Sequence, residues 1–284
     1  MAFVKVSDIL KMADKAHTSA MAFNCVDFNT AHSVIMAAEK LQKPVIVMLY
    51  PGHCTDSRWT TPAAFAPMVI SEANKVKVPV ALHMDHSSDF EYIKAAIDCG
   101  FTSVMYDGSM LPVEENLKNT KMVVDYAHAK GVEVEAELGW VGFADNEKDQ
   151  NNTDMYTSPE TAKRFCKETG CDSVAVAIGS AHGYYNKTPK LDLDRLQQIN
   201  AATDTPLVLH GGSGIPDDQL EKAFTMGINK FNVGTEFLGL YFKTVVEYAE
   251  ANKHDPKHII LDMAIPVQDA LMAYLHQKMQ LSKM

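Results

Sequence analysis

The sequence predicts an α/β fold: a single (β/α)8 TIM barrel over residues 1–284, with an extra C-terminal helix. Eight short apolar runs alternate with amphipathic stretches, which is typical of βα units around a parallel sheet. The runs are almost continuously apolar, as in residues 44–49, and this indicates strands buried on both faces. An open doubly wound sheet fits the same alternation, but the count of eight and the uniform composition favour a closed barrel.

Each predicted strand is a short apolar or β-branched run, and the eight lie at about residues 20–25, 44–49, 79–84, 102–106, 132–138, 173–178, 206–210 and 229–233. Amphipathic spacing between them predicts helices at about residues 30–41, 62–75, 89–98, 112–130, 159–169, 192–201 and 216–226. Another helix is expected from Glu236, after the last strand. Proline marks some helix starts, as at Pro159 and Pro216. Glycine marks some ends, as at Gly170 and Gly227.

Composition excludes several classes of partner. The net charge of -10, from 36 acidic against 26 basic residues, does not attract nucleic acid or anionic lipid, although a local pocket can still hold phosphate. No apolar run approaches the about 20 residues that span a bilayer, and the N-terminus lacks the pattern of a signal peptide. The five cysteines form no CxxC pair, which favours reduced thiols and a cytoplasmic location.

Three histidines each follow an apolar run: His86, His182 and His210. In a closed barrel the ends of these strands share one rim, where barrel enzymes build their active sites. Three imidazoles with an open fourth position form a catalytic zinc arrangement. A lone histidine there would more often be a core or loop residue, but three beside a carboxylate indicate a metal site.

Asp85 is the carboxylate next to His86. It can transfer a proton, or it can orient a metal-binding histidine through a hydrogen bond. His83 is the main rival ligand, because it shares a strand face with Asp85. We place His83 inside the barrel and His86 just beyond the strand end.

Further acidic residues follow neighbouring strands. Asp107 comes after the fourth predicted strand, and Glu133, Glu135 and Glu137 alternate along the fifth, so that these three share one face. At most one or two of the three can lie near a metal, and the others are expected to balance charge.

Two glycine-containing segments follow the last two predicted strands. Gly211-Gly-Ser-Gly214 precedes a helix near Pro216, and Asn232-Val-Gly-Thr235 precedes one near Glu236. Barrels often bind phosphate in these two loops through backbone N–H groups and a helix N-terminus. Each segment alone is also ordinary turn chemistry, but their joint position favours phosphate.

These segments together resemble a known family. They are Asp85-His86, Asp107-Gly-Ser109, Val134-Glu-Ala-Glu-Leu-Gly139, His182-Gly183, His210-Gly-Gly-Ser213 and Asn232-Val-Gly-Thr235. Their order over nearly the whole chain is similar to that of the class II, metal-dependent ketose-bisphosphate aldolases of the fructose- and tagatose-bisphosphate type.

The resemblance implies a homodimer or homotetramer that cleaves a ketose 1,6-bisphosphate, or a related ketose 1-phosphate, to dihydroxyacetone phosphate and an aldehyde such as glyceraldehyde 3-phosphate. It implies Zn²⁺ held by His86, His182 and His210, with Asp85 as the acid/base. It places Asp107 and Glu137 at a second, alternate metal position, and the same pattern allows a monovalent cation. The implied phosphate-binding residues are Gly183, Gly211, Gly212, Ser213, Asn232, Val233, Gly234 and Thr235.

The chemistry of the residues is consistent with this resemblance. Cleavage of a ketose leaves an enediolate, whose charge a Lewis acid stabilises. An aldolase without metal would need a Schiff-base lysine inside the barrel. Lys230 is the only lysine predicted within a strand, which favours the metal route.

The chain departs from the family pattern around the aldehyde half of the substrate. Residues 140–157 are expected to form a mobile lid or a plain surface loop. In the family this lid usually carries a glutamate, and Asp145 or Glu147 could replace it here. No arginine follows Arg195, and Tyr50-Pro-Gly-His53 stands where small hydroxyl residues are common. Fructose and tagatose configurations at C4, and phosphorylation of the distal end, therefore stay open.

Two other functions compete with a catalytic aldolase. A non-catalytic auxiliary barrel of an aldolase complex should have lost a ligand or the acid/base, and this chain keeps them all. A metal-dependent barrel hydrolase would typically carry a His-x-His pair on its first strand, and residues 20–25 contain no histidine.

Overall fold

The eight strands close into a parallel barrel in chain order, which confirms the predicted fold class. The structure is a computed structural model that describes residues 2–53, 59–146 and 153–284. The strands are β1 (Ala20–Asn24), β2 (Val45–Leu49), β3 (Val80–Met84), β4 (Ser103–Tyr106), β5 (Glu133–Leu138), β6 (Ser173–Val176), β7 (Leu207–Leu209) and β8 (Ile228–Val233). Every residue of these strands is buried, as their continuous apolar character predicts.

The helices comprise one that precedes β1 and others that follow the strands around the outside of the barrel. They are α1 (Val6–Lys15), α2 (Phe28–Leu41), α3 (Pro62–Ala73), α4 (Phe90–Asp98), α5 (Val113–Ala129), α6 (Pro159–Thr169), α7 (Leu193–Ala202), α8 (Asp217–Thr225), α9 (Thr235–Asn252) and α10 (Ile260–Lys278). The proline and glycine signals act as expected in α6, which has Pro159 in its first turn and Gly170 in a left-handed conformation at its end. In the described part of the chain, none of these helices is both long enough and apolar enough to cross a membrane.

Helix α1 was not predicted, although its sequence carries the signal. Val6, Ile9, Leu10 and Ala13 recur at helical spacing, and all four are buried. They pack with barrel-lining residues such as Ala20 and Met48 in one apolar cluster. Helix α1 therefore lies beneath the barrel, away from the strand ends that carry the predicted site.

Alternation along each strand decides what enters the barrel. On β3, Val80, Leu82 and Met84 pack in the main core against the helices. His83 therefore faces the interior, where it is fully buried, as predicted. By the same alternation β5 points Glu133, Glu135 and Glu137 inward, while Val134 and Ala136 join the outer core.

Helix α10 is the predicted extra C-terminal helix. It packs against α9 and α2. Lys278, near its C-terminal end, reaches the carboxylate of Glu236 at 2.7 Å, and Tyr274 donates a hydrogen bond to the same carboxylate at 2.6 Å. These contacts fix the N-terminal turn of α9 beside the mouth of the barrel.

Candidate active site

The three strand-end histidines converge at the C-terminal mouth of the barrel. The ring centroids of His86 and His182 lie 5.0 Å apart, those of His86 and His210 4.6 Å, and those of His182 and His210 5.9 Å. One ring nitrogen from each residue lies within 4.8 Å of the other two. The arrangement can therefore supply three nitrogen ligands to one metal ion.

His86 is held in position by its backbone and by a neighbouring loop. It follows β3 with a φ of +33°, in the left-handed region that non-glycine residues rarely adopt. Its Nδ1 lies 2.8 Å from Oδ2 of Asp107. Ser109 fixes that carboxylate by donating its backbone N–H and its hydroxyl to Oδ1, at 3.0 and 2.7 Å. The loop after β4 thus orients the histidine after β3.

Glu137 supplies a buried oxygen that faces two of the histidines. Its Oε2 lies 3.3 Å from Nδ1 of His210 and 3.8 Å from Nδ1 of His86. Within the described residues, neither Oε2 of Glu137 nor Nδ1 of His210 makes a hydrogen bond, although both are buried. Unsatisfied buried atoms are costly. A cation coordinated here would satisfy both, so the donor set fits a metal ion.

The electrostatics of the cluster also favour a positive charge. Burial lowers the pKa of His86, but the carboxylates of Asp85, Asp107 and Glu137 outweigh it and raise that pKa to about 10. Burial, together with His86 and His210, lowers the pKa of His182 to about 3. The three carboxylates thus favour a bound cation among these side chains, while His182 stays neutral, as a histidine that coordinates a metal must.

Asp85 is a buried carboxylate oriented by two amides. Asn24 donates to its Oδ2 at 2.8 Å, and Asn232 donates to its Oδ1 at 3.1 Å. Burial raises the pKa of Asp85, but His86, His210 and other nearby basic groups lower it to about 2. Asp85 is therefore an ionised carboxylate of fixed orientation beside the three histidines. Sequence reasoning missed Asn24, whose only signal was a polar residue at the end of an apolar strand.

A buried ion pair supports His210 from inside the barrel. Nε2 of His210 lies 3.0 Å from Oε1 of Glu135, and Nζ of Lys230 lies 2.9 Å from Oε2 of the same carboxylate. All three side chains are fully buried. Binding of Nε2 to a carboxylate leaves Nδ1 of His210 for a metal, as is common for ligating histidines. Glu135 thus balances charge, as predicted for part of the β5 glutamate series.

His83 and Glu133 also lie inside the barrel. Nδ1 of His83 lies 2.9 Å from the hydroxyl of Ser103, and its Nε2 is 3.9 Å from Glu135. Glu133 accepts two hydrogen bonds from Ser7 at the opposite end. His83 with Asp85 and Glu135 forms another compact donor group, but Lys230 already neutralises Glu135. The histidine set is the better metal site.

The glycine segments come together beside the histidines, at the start of α9. Gly211 has a φ of +64° and Gly183 a φ of +96°. The Gly211 carbonyl accepts a hydrogen bond from Tyr185 at 2.7 Å, and the Ser213 hydroxyl accepts one from the backbone N–H of Glu236 at 3.2 Å. These residues meet the first turn of α9, so backbone N–H groups and a helix N-terminus share one side of the site.

The site opens into a cavity of about 670 Å³. The predicted metal, acid/base and phosphate residues line it, with the exceptions of His210, which is fully buried, and Val233. The side chain of Val233 is fully buried in the core between barrel and helices, so any contact with a ligand would come from its backbone. Sequence reasoning singled out Tyr50 but missed two further aromatic residues that line the cavity, Phe143 and Tyr184.

The predicted lid is anchored at both ends. Trp140 donates its backbone N–H to Met155 at 3.0 Å, and Phe143 forms a parallel bridge with His182. Asp145 is exposed and is not among the residues that line the cavity. Glu147, the other candidate for the lid acid, lies outside the described residues.

Comparisons with known proteins agree with this geometry. Residues 4–284 match the family model described as fructose-bisphosphate aldolase class-II. A fructose-bisphosphate aldolase from Geobacillus stearothermophilus is 38% identical over 282 residues, covering 99% of this chain and 96% of that protein.

Solved structures give the same result. The YdjI aldolase from Escherichia coli K12 has a TM-score of 0.86 at 34% identity, covering 99% of this chain and 97% of that chain. A fructose-bisphosphate aldolase from Campylobacter jejuni has a TM-score of 0.82 at 22% identity, covering 99% and 95% of the two chains, and supports the fold alone.

Proposed function

The chain belongs to the class-II fructose-bisphosphate aldolase family and is a lyase, and from this premise we propose a zinc-dependent retro-aldol reaction. The substrate is a fructose- or tagatose-type ketose 1,6-bisphosphate, or a related ketose 1-phosphate. The products are dihydroxyacetone phosphate and an aldehyde such as glyceraldehyde 3-phosphate. The observation that carries the proposal is the convergence of three histidines around the fixed carboxylate of Asp85.

His86, His182 and His210 are the proposed zinc ligands. A bound zinc ion supplies Lewis-acid stabilisation of the negative charge that develops on the three-carbon unit. Glu135 and Lys230 hold His210 with its Nδ1 available. Asp107 and Glu137, with His86, form a second compact donor group. We assign that group to an alternate metal position or a second cation.

Asp85 is the proposed acid/base. In cleavage its carboxylate takes the proton of the C4 hydroxyl while the C3–C4 bond breaks, and the bonding electrons move to the C2 carbonyl to form an enediolate. Uptake of a proton at C3, ultimately from solvent, then gives dihydroxyacetone phosphate. In condensation Asp85 returns this proton to the new C4 oxygen. Asn24 and Asn232 fix the direction of the carboxylate, so little reorganisation is needed during proton transfer.

The phosphate of the three-carbon unit is assigned to the glycine side of the cavity. Gly183, Gly211 to Ser213 and Asn232 to Thr235 meet there at the start of α9. None of the described residues lining the cavity is lysine or arginine. Backbone N–H groups and the helix N-terminus would therefore bind the phosphate.

We also propose that the chain is one domain of a cytoplasmic homodimer or homotetramer. An exposed apolar surface on α9 and α10 supports self-association. It is formed by Phe242, Ile260, Leu261 and Ile265, each about two-thirds or more exposed. Apolar patches of this kind commonly mark protein interfaces.

A substrate panel tests the function. Zinc-loaded and chelator-treated protein are incubated with fructose and tagatose 1,6-bisphosphates and the matching 1-phosphates, and triose phosphate release is measured. We expect release from at least one sugar, loss of activity on chelation and recovery with zinc. Full zinc occupancy without release from any sugar would instead favour a non-catalytic auxiliary subunit.

Gly211→Ala is expected to damage the phosphate side of the cavity. Gly211 has a φ of +64°, and an added Cβ would lie within 2.4 Å of the Ala181 carbonyl oxygen. The segment must therefore shift, and the KM for the phosphorylated substrate should rise about tenfold or more. Gly131→Ala is the matched control, because Gly131 has a similar φ of +74° but nothing within 4 Å of its added Cβ. An unchanged KM in Gly211→Ala would argue against phosphate binding there.

A further inference from the structure

The cavity has a second side, away from the glycine segments, that the proposed reaction does not yet use. Tyr50 directly follows β2, and His53 ends the short 3-10 helix Pro51–His53. Their rings meet edge to face with centroids 4.8 Å apart, and the Tyr50 ring lies 6.0 Å from that of His86. Both side chains line the cavity next to the metal ligands and Asp85.

The two sides of the cavity bind by different means. The glycine side offers backbone N–H groups and the start of α9, a helix of 18 residues, and both favour an anion. The Tyr50 side offers a phenol and an imidazole. Burial lowers the pKa of His53 more than the charge of Asp85 raises it, which favours the neutral imidazole. Neutral hydroxyl and imidazole groups suit the hydroxyls of a sugar.

Charge at the mouth of the barrel works against a second phosphate. Asp85, Asp107 and Glu137 all line the cavity, and no lysine or arginine does so among the described residues. A phosphate dianion beyond Asp85 would therefore meet the Asp85 carboxylate without a lysine or arginine from the described residues of the same chain to pair with it.

We propose that Tyr50 and His53 recognise an uncharged, hydroxylated aldehyde half, so that the substrate is a ketose 1-phosphate without a second phosphate. This inference rests on the proposed function, because it assumes that the three-carbon phosphate occupies the glycine side. It selects one class from the bisphosphates and monophosphates left open above, and it makes Tyr50 and His53 specificity residues.

Condensation with matched aldehydes tests the inference. Zinc-loaded protein and dihydroxyacetone phosphate are assayed with glyceraldehyde against glyceraldehyde 3-phosphate, and with erythrose against erythrose 4-phosphate. We expect the neutral member of each pair to have the higher kcat/KM, by about tenfold. An equal or higher kcat/KM for the phosphorylated member of either pair overturns the inference.

A second measurement separates this inference from the proposed function. Exchange of a C3 hydrogen of dihydroxyacetone phosphate with solvent deuterium needs no aldehyde. If the zinc-loaded protein shows no exchange and no condensation, the proposed function fails. If exchange proceeds but the phosphorylated aldehydes are preferred, the function stands and only the inference fails.

Tyr50→Phe and His53→Ala test the assigned residues. We expect each change to lower kcat/KM for the neutral aldehydes about threefold to tenfold, the loss of one hydrogen bond. Each value is divided by the deuterium exchange rate of the same variant, which corrects for any damage to the fold or the metal site. His254→Ala, at an exposed position between α9 and α10, is the control. An unchanged ratio of kcat/KM to exchange rate in both variants would show that Tyr50 and His53 do not contribute to recognition of the aldehyde.

Arg58 and Lys148 lie outside the described residues and are checked directly. The same aldehyde pairs are measured on Arg58→Ala and Lys148→Ala. We expect the ratio between the two members of each pair to stay at the wild-type value. A selective loss of activity on the phosphorylated member in either variant would reveal a phosphate-binding cation and overturn the inference.

Discussion

Asp85→Asn is expected to lower kcat for carbon–carbon cleavage by about 10²- to 10⁴-fold, the usual contribution of a positioned acid/base. An amide cannot take the C4 hydroxyl proton, and the similar size of asparagine leaves the packing around Asn24 and Asn232 in place. Zinc binding should persist, because the three histidines are unchanged. The measurements are triose phosphate release and zinc content per chain.

The control for this variant is Asp194→Asn, which removes an exposed carboxylate from the first turn of α7. It should retain wild-type kcat. Deuterium exchange at C3 of dihydroxyacetone phosphate should fall less than cleavage in Asp85→Asn, because Asp85 is assigned to the C4 oxygen. An Asp85→Asn protein that keeps more than about a tenth of the wild-type kcat would contradict the assigned role.

Lys230→Met is expected to cost about 3–5 kcal/mol in the free energy of unfolding. The change leaves Glu135 as an uncompensated charge in a fully buried position. Because Glu135 also holds Nε2 of His210, zinc affinity should fall about 10- to 100-fold as well. Urea denaturation of the metal-free protein measures the stability, and competition with a zinc chelator measures the affinity.

The double variant Lys230→Met with Glu135→Gln removes both charges and should recover part of the lost stability, since no unpaired charge then remains buried. Lys253→Met is the matched control. It breaks an exposed pair with Glu250 at 2.7 Å and should cost less than about 1 kcal/mol. A Lys230→Met protein as stable as this control would show that the buried pair does not support the barrel.

The barrel was predictable because a local sequence pattern marks each strand. Continuous apolar runs show which segments are buried on both faces, and the observed strand limits differ from the predicted ones by two residues or fewer. Alternation along β5 also predicted that the three glutamates share one face, and His83 on β3 was placed inside the barrel, as observed. Helix α1 could have been found in the same way, since Val6, Ile9, Leu10 and Ala13 carry its period.

Other features depend on contacts between distant residues and could not be predicted from local patterns. Asn24 reaches Asp85, 61 positions along the chain, only because the barrel closes. His182 was predicted as a ligand, but the hydrogen bonds with Gly142 and Ala144 at 2.7 Å, which hold its backbone at the site six positions beyond the end of β6, were not. Tyr50, Phe143 and Tyr184 likewise line one cavity only because loops after different strands meet there.

Zinc content and aldehyde-free deuterium exchange, measured on the same samples, test the central claim most directly. The samples are wild type and the single alanine variants of His86, His182 and His210. The account predicts one zinc ion per chain and metal-dependent exchange at C3 of dihydroxyacetone phosphate in wild type. Each variant should lose both together. Exchange that survives complete removal of metal, or full zinc occupancy in the histidine variants, would contradict a reaction centred on these three residues.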